Sequence, residues 1–402
     1  MTPAARVQAA IELLDAIIIA ARDGGASADV VTARFLKERR YMGSKDRRAV
    51  RNLVYDAIRL IGERPANGRA AMAVLAAVQP DLQPLFDGSR YGPQSLSEAE
   101  RVSAPGARIP QWLIPLLPDF IGEEEIAALL DRAPLDLRMT PGTKEAVADA
   151  FPEMEFSRHL PYAARLAAGT RVQDSTAWRD GLMDIQDWGS QAICALCDAP
   201  QRAHIIDLCA GAGGKTLALA QQSPADTRIL ASDVSRARLA ELPPRAARLG
   251  IESIETRLLD PGSESAMLAD RAGQADCVLV DAPCSGTGVW RRNPEARWRL
   301  DARRLERLCN TQSRLLDIAA ALVQPGGALV YAVCSILPCE GSAQIAAFLG
   351  RHGGWSVEAG DFPLGRTVGP AGVQPGESAL GLMLTPAHDA TDGFFLTRLV
   401  KS

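Results

Sequence analysis

The sequence predicts an α/β protein whose C-terminal part is a mostly parallel sheet with crossover helices, preceded by an all-α segment. Three observations predict it. Apolar residues recur every three to four positions through the N-terminal stretch, a proline-rich run interrupts the chain at Ala104 to Pro118, and after Thr170 short apolar runs alternate with helical stretches. The chain has 402 residues, and at about 150 per domain that gives two to three domains with enough core to need no staples.

Val7, Ala10, Ile11, Leu14, Ile17 and Ile18 line one face of a first helix that Gly24 and Gly25 end. A second helix covers about Ala28 to Arg39. A third runs from Ser44, read as its N-cap, through Val50, Leu53, Val54, Ala57 and Ile58. Further helices are expected at Ala70 to Val78 and Ser97 to Val102. Pro105, Gly106, Pro110, Pro115 and Pro118 mark a boundary, so the domains are drawn as 1–104, 105–170 and 171–402. Strands are expected at His204 to Leu208, Arg228 to Ser232, Ile254 to Leu258, Asp276 to Val280, Ala328 to Val333 and Phe394 to Val400. Helices are expected at Thr216 to Gln222, Ser235 to Leu249, Ala302 to Leu322 and Ser342 to Gly350, with Pro243 and Pro244 splitting the second into two.

With 47% hydrophobic and 23% charged residues the composition is that of an ordinary globular protein. The longest apolar stretch, Leu13 to Ala21, is interrupted by Asp15 and falls short of a membrane span. Eight cysteines are too few for a disulfide framework. The reading is a cytoplasmic monomer with free thiols and no metal.

The net charge of −4 argues weakly against a nucleic-acid partner, but it averages over two basic patches. Arg34, Lys37, Arg39, Arg40, Lys45, Arg47, Arg48 and Arg51 face only Glu38 and Asp46. From Arg291 to Arg314 eight arginines, Arg291, Arg292 and Arg297 among them, face three acids. Either patch alone is ordinarily a solvated helix face. Two in one acidic chain point to phosphate contacts, at Arg39, Arg40, Lys45, Arg47, Arg48, Arg291, Arg292 and Arg297.

Asp207 to Thr216 reads as a strand, a glycine loop and a helix start. Gly211, Gly213 and Gly214 allow close backbone approach, and the helix N-terminus favours negative charge. A phosphate-binding loop would need glycine where Cys209 stands, and a dinucleotide fingerprint would need it at Thr216. Asp233, at the end of the next strand, is placed for ribose hydroxyls, and Asp260, after the third, for an adenine amino group. Such a loop with acids at successive strand ends suits a nucleoside cofactor without pyrophosphate, S-adenosylmethionine.

The fourth strand ends in Asp281, Ala282, Pro283 and Cys284, and the fifth in Cys334. Strand carboxyl ends are where open α/β sheets hold ligands. Amino-group methylation of a base would want an aromatic residue where Cys284 stands. Two cysteines beside a methyl donor suit a different reaction: carbon 5 of a pyrimidine becomes nucleophilic once a thiolate adds to carbon 6. Nucleophile, acid and release group map onto Cys334, Asp281 and Cys284. Cys194, Cys197, Cys277 and Cys309 are read as packing.

The segments at Asp207 to Thr216, Asp281 to Trp298, Tyr331 to Gly341 and Leu384 to Phe395 resemble the RsmB/Nop-Sun family of RNA cytosine-5 methyltransferases. More weakly, Arg108 to Leu113, Leu135 to Met139 and Ile185 to Ala192 resemble that family's small domain and the opening of its catalytic domain. Ala5 to Ile17 and Tyr41 to Arg59 resemble the NusB-like helical domain of its bacterial ribosomal-RNA members. The resemblance implies a class I S-adenosylmethionine-dependent methyltransferase with a Rossmann-like, mostly parallel seven-stranded sheet, and a small RNA-binding domain at 105–170. It implies a cofactor site over Cys209, Ala210, Gly211, Ala212, Gly213, Gly214 and Lys215 with Asp233, Asp260 and Asp281. Cys334 would be the nucleophile, Cys284 the release cysteine, and Lys215 part of the catalytic group. Val333, Cys339, Gly341 and Thr140 depart from the family's usual residues. The implied substrate is 16S ribosomal RNA. Transfer RNA, a non-catalytic RNA-binding assembly factor and a dinucleotide dehydrogenase are the rival readings.

Overall fold

A computed structural model describes residues 1–101, 106–198, 200–358, 363–369 and 379–402. The chain forms two compact units, Met1–Asp131 with Val289–Ala302, and Arg132–Gly288 with Arg303–Ser402.

The first unit is helical: α1 (Pro3–Arg22), α2 (Ala28–Glu38), α3 (Ser44–Leu60), α4 (Gly68–Val78) and α5 (Glu123–Leu130). Thr2 caps α1, its hydroxyl accepting from the amide of Ala5 at 3.2 Å, with Pro3 preset for the first turn. Gly43 rather than Ser44 is the N-cap of α3. Leu13, Leu14 and Ile17 of α1 meet Val54 and Ile58 of α3 and Met72 of α4 in one core. The short segment Val289–Ala302 packs into the same unit although it follows Cys284 in the chain, and Trp298 lies in that core.

The second unit holds two sheets. The smaller has the order β2-β3-β1-β4, from β1 (Leu135–Met139), β2 (Glu155–Phe156), β3 (Ala163–Leu166) and β4 (Met183–Ile185). Helices α6 (Lys144–Ala150), α7 (Thr176–Arg179) and α8 (Trp188–Ala195) accompany it. The large sheet uses β5 (His204–Asp207), β6 (Arg228–Asp233), β7 (Ile254–Leu258), β8 (Ala275–Asp281), β9 (Val323–Val333), β10 (Trp355–Val357), β11 (Arg366–Val368), β12 (Gly381–Leu384) and β13 (Phe394–Lys401). Its order is β11-β12-β13-β9-β8-β5-β6-β7, with β10 on β13. From β7 to β9 the strands are parallel, while β13 and β12 are antiparallel, which completes the expected seven; β10 and β11 extend them.

Crossovers run through α9 (Gly214–Gln222), α10 (Arg236–Leu239), α11 (Leu242–Arg248), α12 (Glu264–Met267) and α13 (Ala302–Leu322), with α14 (Ser342–Arg351) and α15 (Pro386–Asp389) following. Pro243 sits in the first turn of α11, where its missing amide costs nothing, so the prolines divide one helix into two. No helix among the described residues is long and apolar enough to cross a membrane.

The partition differs from the division drawn on the sequence. A boundary at 104 lies outside the described residues. The stretch 105–170 is not a unit of its own, because β1 pairs both with β3 and, beyond residue 170, with β4. The small sheet therefore straddles the expected boundary, while residues up to Asp131 join the helices.

Candidate active site

The carboxyl ends of β5, β6, β8 and β9 carry the residues singled out in the sequence. At the end of β5 the loop Cys209 to Gly213 leads into α9. Gly213 caps that helix in the left-handed region, φ 82°, which glycine adopts without strain. A Cβ on Gly214 would meet nothing within 4 Å, so the start of α9 is open to a ligand. Asp233 accepts from the amides of Gly211 and Ser235, both at 2.7 Å, and so shapes the loop while each oxygen keeps a second lone pair. Asp260 is exposed after β7. Open helix amides, carboxylates at two strand ends and one ammonium form a donor set that fits a zwitterionic nucleoside.

Buried Arg138 and half-buried Arg245, which the sequence did not single out, hold this loop from behind. Arg245 donates to Ala212 O at 2.6 Å and to Asp184 at 2.7 Å. Arg138 donates to Gly214 O at 3.1 Å and to Gln186 at 2.5 Å. Asp184, 2% exposed, also takes Arg248 at 2.8 Å. Thr140, one of the family departures, accepts from Gln221 at 2.9 Å and donates to Gly181 O at 2.7 Å. The small sheet thus buttresses the glycine loop, directly through Arg138 at Gly214 O and through Asp184, which holds Arg245 of α11 on Ala212 O.

Lys215 and Asp281 form an ion pair at 2.7 Å. Burial works against the ammonium, but the adjacent carboxylate outweighs it and holds the Lys215 pKa above its ordinary value. Asp207, at the end of β5, is 1% exposed. Burial raises its carboxyl to about 7, against the hydrogen bond that it accepts from Thr216.

The sulfurs of Cys284 and Cys334 lie 3.2 Å apart, bringing together two residues 50 positions distant in sequence. Parallel pairing of β8 with β9 sets this, since Asp281 is in register with Ala332 and both cysteines follow shortly after. The Cys284 thiol is pushed well up by its hydrogen bond to Cys334, by burial and by neighbouring negative charge. Glu340, fully buried, accepts from Ser285 N at 2.8 Å, Ser335 Oγ at 2.5 Å and Gln312 at 2.9 Å, and from the Ser285 hydroxyl. Sequence reasoning missed this role, and its only trace is a glutamate six positions after Cys334. Gly341 follows from packing, because a Cβ there would lie 2.6 Å from the Phe395 ring. Val333 is fully buried in β9, and Cys339 accepts through its carbonyl from the thiol of Cys309 at 3.5 Å.

The proposed phosphate contacts divide. Arg40, Lys45 and Arg48 are exposed. Arg39 lies 3.5 Å over the Phe35 ring and pairs with Glu12 at 3.1 Å, and Arg47 donates to Met42 O at 2.9 Å. Arg292 is half-buried and Arg291 is 6% exposed. Arg297 corrects the expectation: it is 1% exposed and donates to Ile58 O and, at 3.0 Å, to Ile61 O. These are carbonyls of the last turn and C-cap of α3, so its guanidinium is committed inside the helical unit.

The family profile described as 16S rRNA methyltransferase RsmB/F matches residues 195–400. The ribosomal RNA small subunit methyltransferase B of Enterobacter sp. (strain 638) is 36% identical over 241 residues, 60% of this chain and 52% of that protein. The protein of the same name from Shigella boydii serotype 4 is 32% identical over 345 residues, 81% of this chain and 75% of that protein. Matched segments thus span about half the length of some relatives and three quarters of others. Among solved structures, PH0851 superposes with a TM-score of 0.79 at 21% identity over 100% of both chains, a likeness of fold. On the profile match and the Shigella relative, the chain belongs to the RsmB/F family of 16S rRNA methyltransferases.

Proposed function

We propose that this chain methylates carbon 5 of a cytosine in 16S ribosomal RNA through a covalent thiolate adduct. The observation that carries the reading is the 3.2 Å approach of Cys284 and Cys334 at adjacent strand ends, beside the Lys215–Asp281 pair. The relatives' names supply the substrate class.

S-adenosylmethionine, the methyltransferase cofactor, supplies an electrophilic methyl group. The amides that open α9 at Gly214, with Asp233 and Asp260, would hold it, and Asp281 would face its reactive end. The Cys334 thiolate would add to carbon 6 of the cytosine, pushing the ring's electrons toward carbon 5. The Lys215–Asp281 pair would stabilise the charge that the ring then carries. After transfer, Cys284, once it has released its own proton to solvent, would take the proton from carbon 5 as the carbon 6–sulfur bond breaks, and Cys334 would return as thiolate. Exposed Arg40, Lys45 and Arg48 would contact phosphates, and the target base would be presented unstacked.

Two variants test the assignment. Cys334→Ser should abolish methyl incorporation into unmodified 16S RNA, while Cys284→Ala should accumulate a covalent RNA–protein adduct visible on a denaturing gel. Full activity of Cys334→Ser would refute the roles. Bisulfite sequencing of the RNA locates the modified cytosine, and methylation of transfer RNA instead would overturn the substrate assignment.

A further inference from the structure

We propose that Glu340 is a positioning residue that locks the two cysteine loops against each other and so sets the separation of the reactive sulfurs; the inference rests on the methyltransferase reading above. Its carboxylate is fully buried, yet no cation pairs with it among the hydrogen bonds described. Instead it gathers donors from the residues that directly follow each cysteine. Ser285 gives its amide at 2.8 Å and its hydroxyl, and Ser335 its hydroxyl at 2.5 Å. Gln312 on α13 adds a bond at 2.9 Å while donating to Pro283 O at 3.0 Å, directly before Cys284.

The lock has further members. Thr287 meets Ser335 at 3.0 Å and receives the amide of Ile336 at 3.1 Å, again joining the loop after Cys284 to the loop after Cys334. The backbone of Glu340 is itself fixed, since Tyr331 of β9 donates to its carbonyl at 2.7 Å. Charged acceptors make the stronger hydrogen bonds, and a buried one left without donors is costly, so the four donors and the carboxylate hold each other in one arrangement. Glutamine is a poor substitute: its oxygen can still accept from the Ser285 amide and Gln312, but both serine hydroxyls would have to reverse and accept from its nitrogen, and every bond would lose its charged acceptor. The same negative charge also keeps the Cys284 thiol protonated, behind the larger contributions of the Cys334 contact and burial.

The test uses the full chain with S-adenosylmethionine and unmodified 16S RNA. In Glu340→Gln, kcat should fall by about a hundredfold, the scale of an ångström's misplacement, with KM for both substrates changed less than about twofold. Independently of RNA, iodoacetamide labelling of Cys284 followed by peptide mass spectrometry should accelerate severalfold. Ser335→Ala, which removes one donor and leaves the others, should show both effects at smaller size and serves if Glu340→Gln does not fold. Wild-type kcat and wild-type labelling in either folded variant would overturn the proposal, as would a change confined to KM. If the wild-type protein methylates no RNA, the functional reading fails, while the labelling result still decides the lock.

Discussion

The two basic patches carry similar charge, and the first half of the second is used in the opposite way to the first patch. From α2 through the connection into α3, Arg34, Lys37, Arg40, Lys45, Arg48 and Arg51 all stand in solvent. In Val289–Ala302 the arginines turn inward. Arg297 holds the carbonyls that end α3, Arg299 donates to Gly25 O at 2.8 Å and to Ala20 O at 3.3 Å after α1, and Glu295 accepts the amide of Ala28 at 2.9 Å at the start of α2. The first patch is a surface potential, while the Val289–Ala302 half of the second caps three helix ends at once and its other arginines, Arg303, Arg304, Arg307 and Arg314 of α13, are exposed. Charge counted along a sequence has no direction; a guanidinium becomes cement when helix carbonyls lack partners nearby.

The sharpest way to break this contrast is Trp298→Ala. Trp298 is 3% exposed in the helical core, and its indole donates to Ile61 O at 3.0 Å. Truncation should cost the helical unit about 4 kcal/mol, read as faster hydrogen exchange in α1 and α3 while β8 and β9 keep their protection. Unchanged exchange in α1 and α3 would show that the segment is not part of that core.

Next in size is Arg297→Ala, which leaves Ile61 O to the Trp298 indole alone and Ile58 O to the Ile61 amide alone and removes a packed stem, for about 2 kcal/mol. Lysine should not rescue it, since one ammonium cannot reproduce the planar fork that meets Ile58 O and Ile61 O together. Chemical denaturation followed by Trp298 fluorescence against a phenylalanine control measures it.

The exposed patch should respond in the opposite sense. Arg40→Ala, Lys45→Ala and Arg48→Ala together should leave unfolding within about 0.5 kcal/mol of wild type. The slope of log RNA affinity against log salt should drop by about 2. A stability loss matching that of Arg297→Ala, or an unaltered salt slope, would erase the distinction between the two patches.

What was legible in the sequence follows the same line. Both cysteines, Asp281 and Lys215 were readable because chemistry at strand ends is local: a short apolar run, then the reactive residue. The strands of the parallel sheet were likewise readable from runs of β-branched and apolar residues bounded by turns. Arg297 was misread because its acceptors are more than two hundred residues away. Glu340 was unread because nothing local distinguishes a buried acid from a solvated one. The 105–170 division failed because β1 takes its second partner, β4, beyond the proline-marked segment, and strand pairing across a boundary leaves no mark in either stretch.

The smallest effect concerns buried charge in the sheet unit, where an ionisable group without a full set of partners should shift its protonation rather than stay charged. Asp207 does not have one: Thr216 donates to one oxygen at 2.6 Å, and the other is buried without a hydrogen bond. Burial accordingly lifts its carboxyl from the ordinary 3.8 to about 7, with Asp281 adding to the rise. Between those values the folded chain keeps a proton that the unfolded chain has released. Stability from this group is therefore present at low pH and is lost as pH rises toward about 7. Asp207→Asn keeps an oxygen to accept from Thr216 and has no proton to lose. Relative to the wild type, its Tm should gain a few degrees between pH 5 and pH 8. Parallel Tm profiles for the two proteins would mean that Asp207 is ionised throughout and that its lone hydrogen bond suffices.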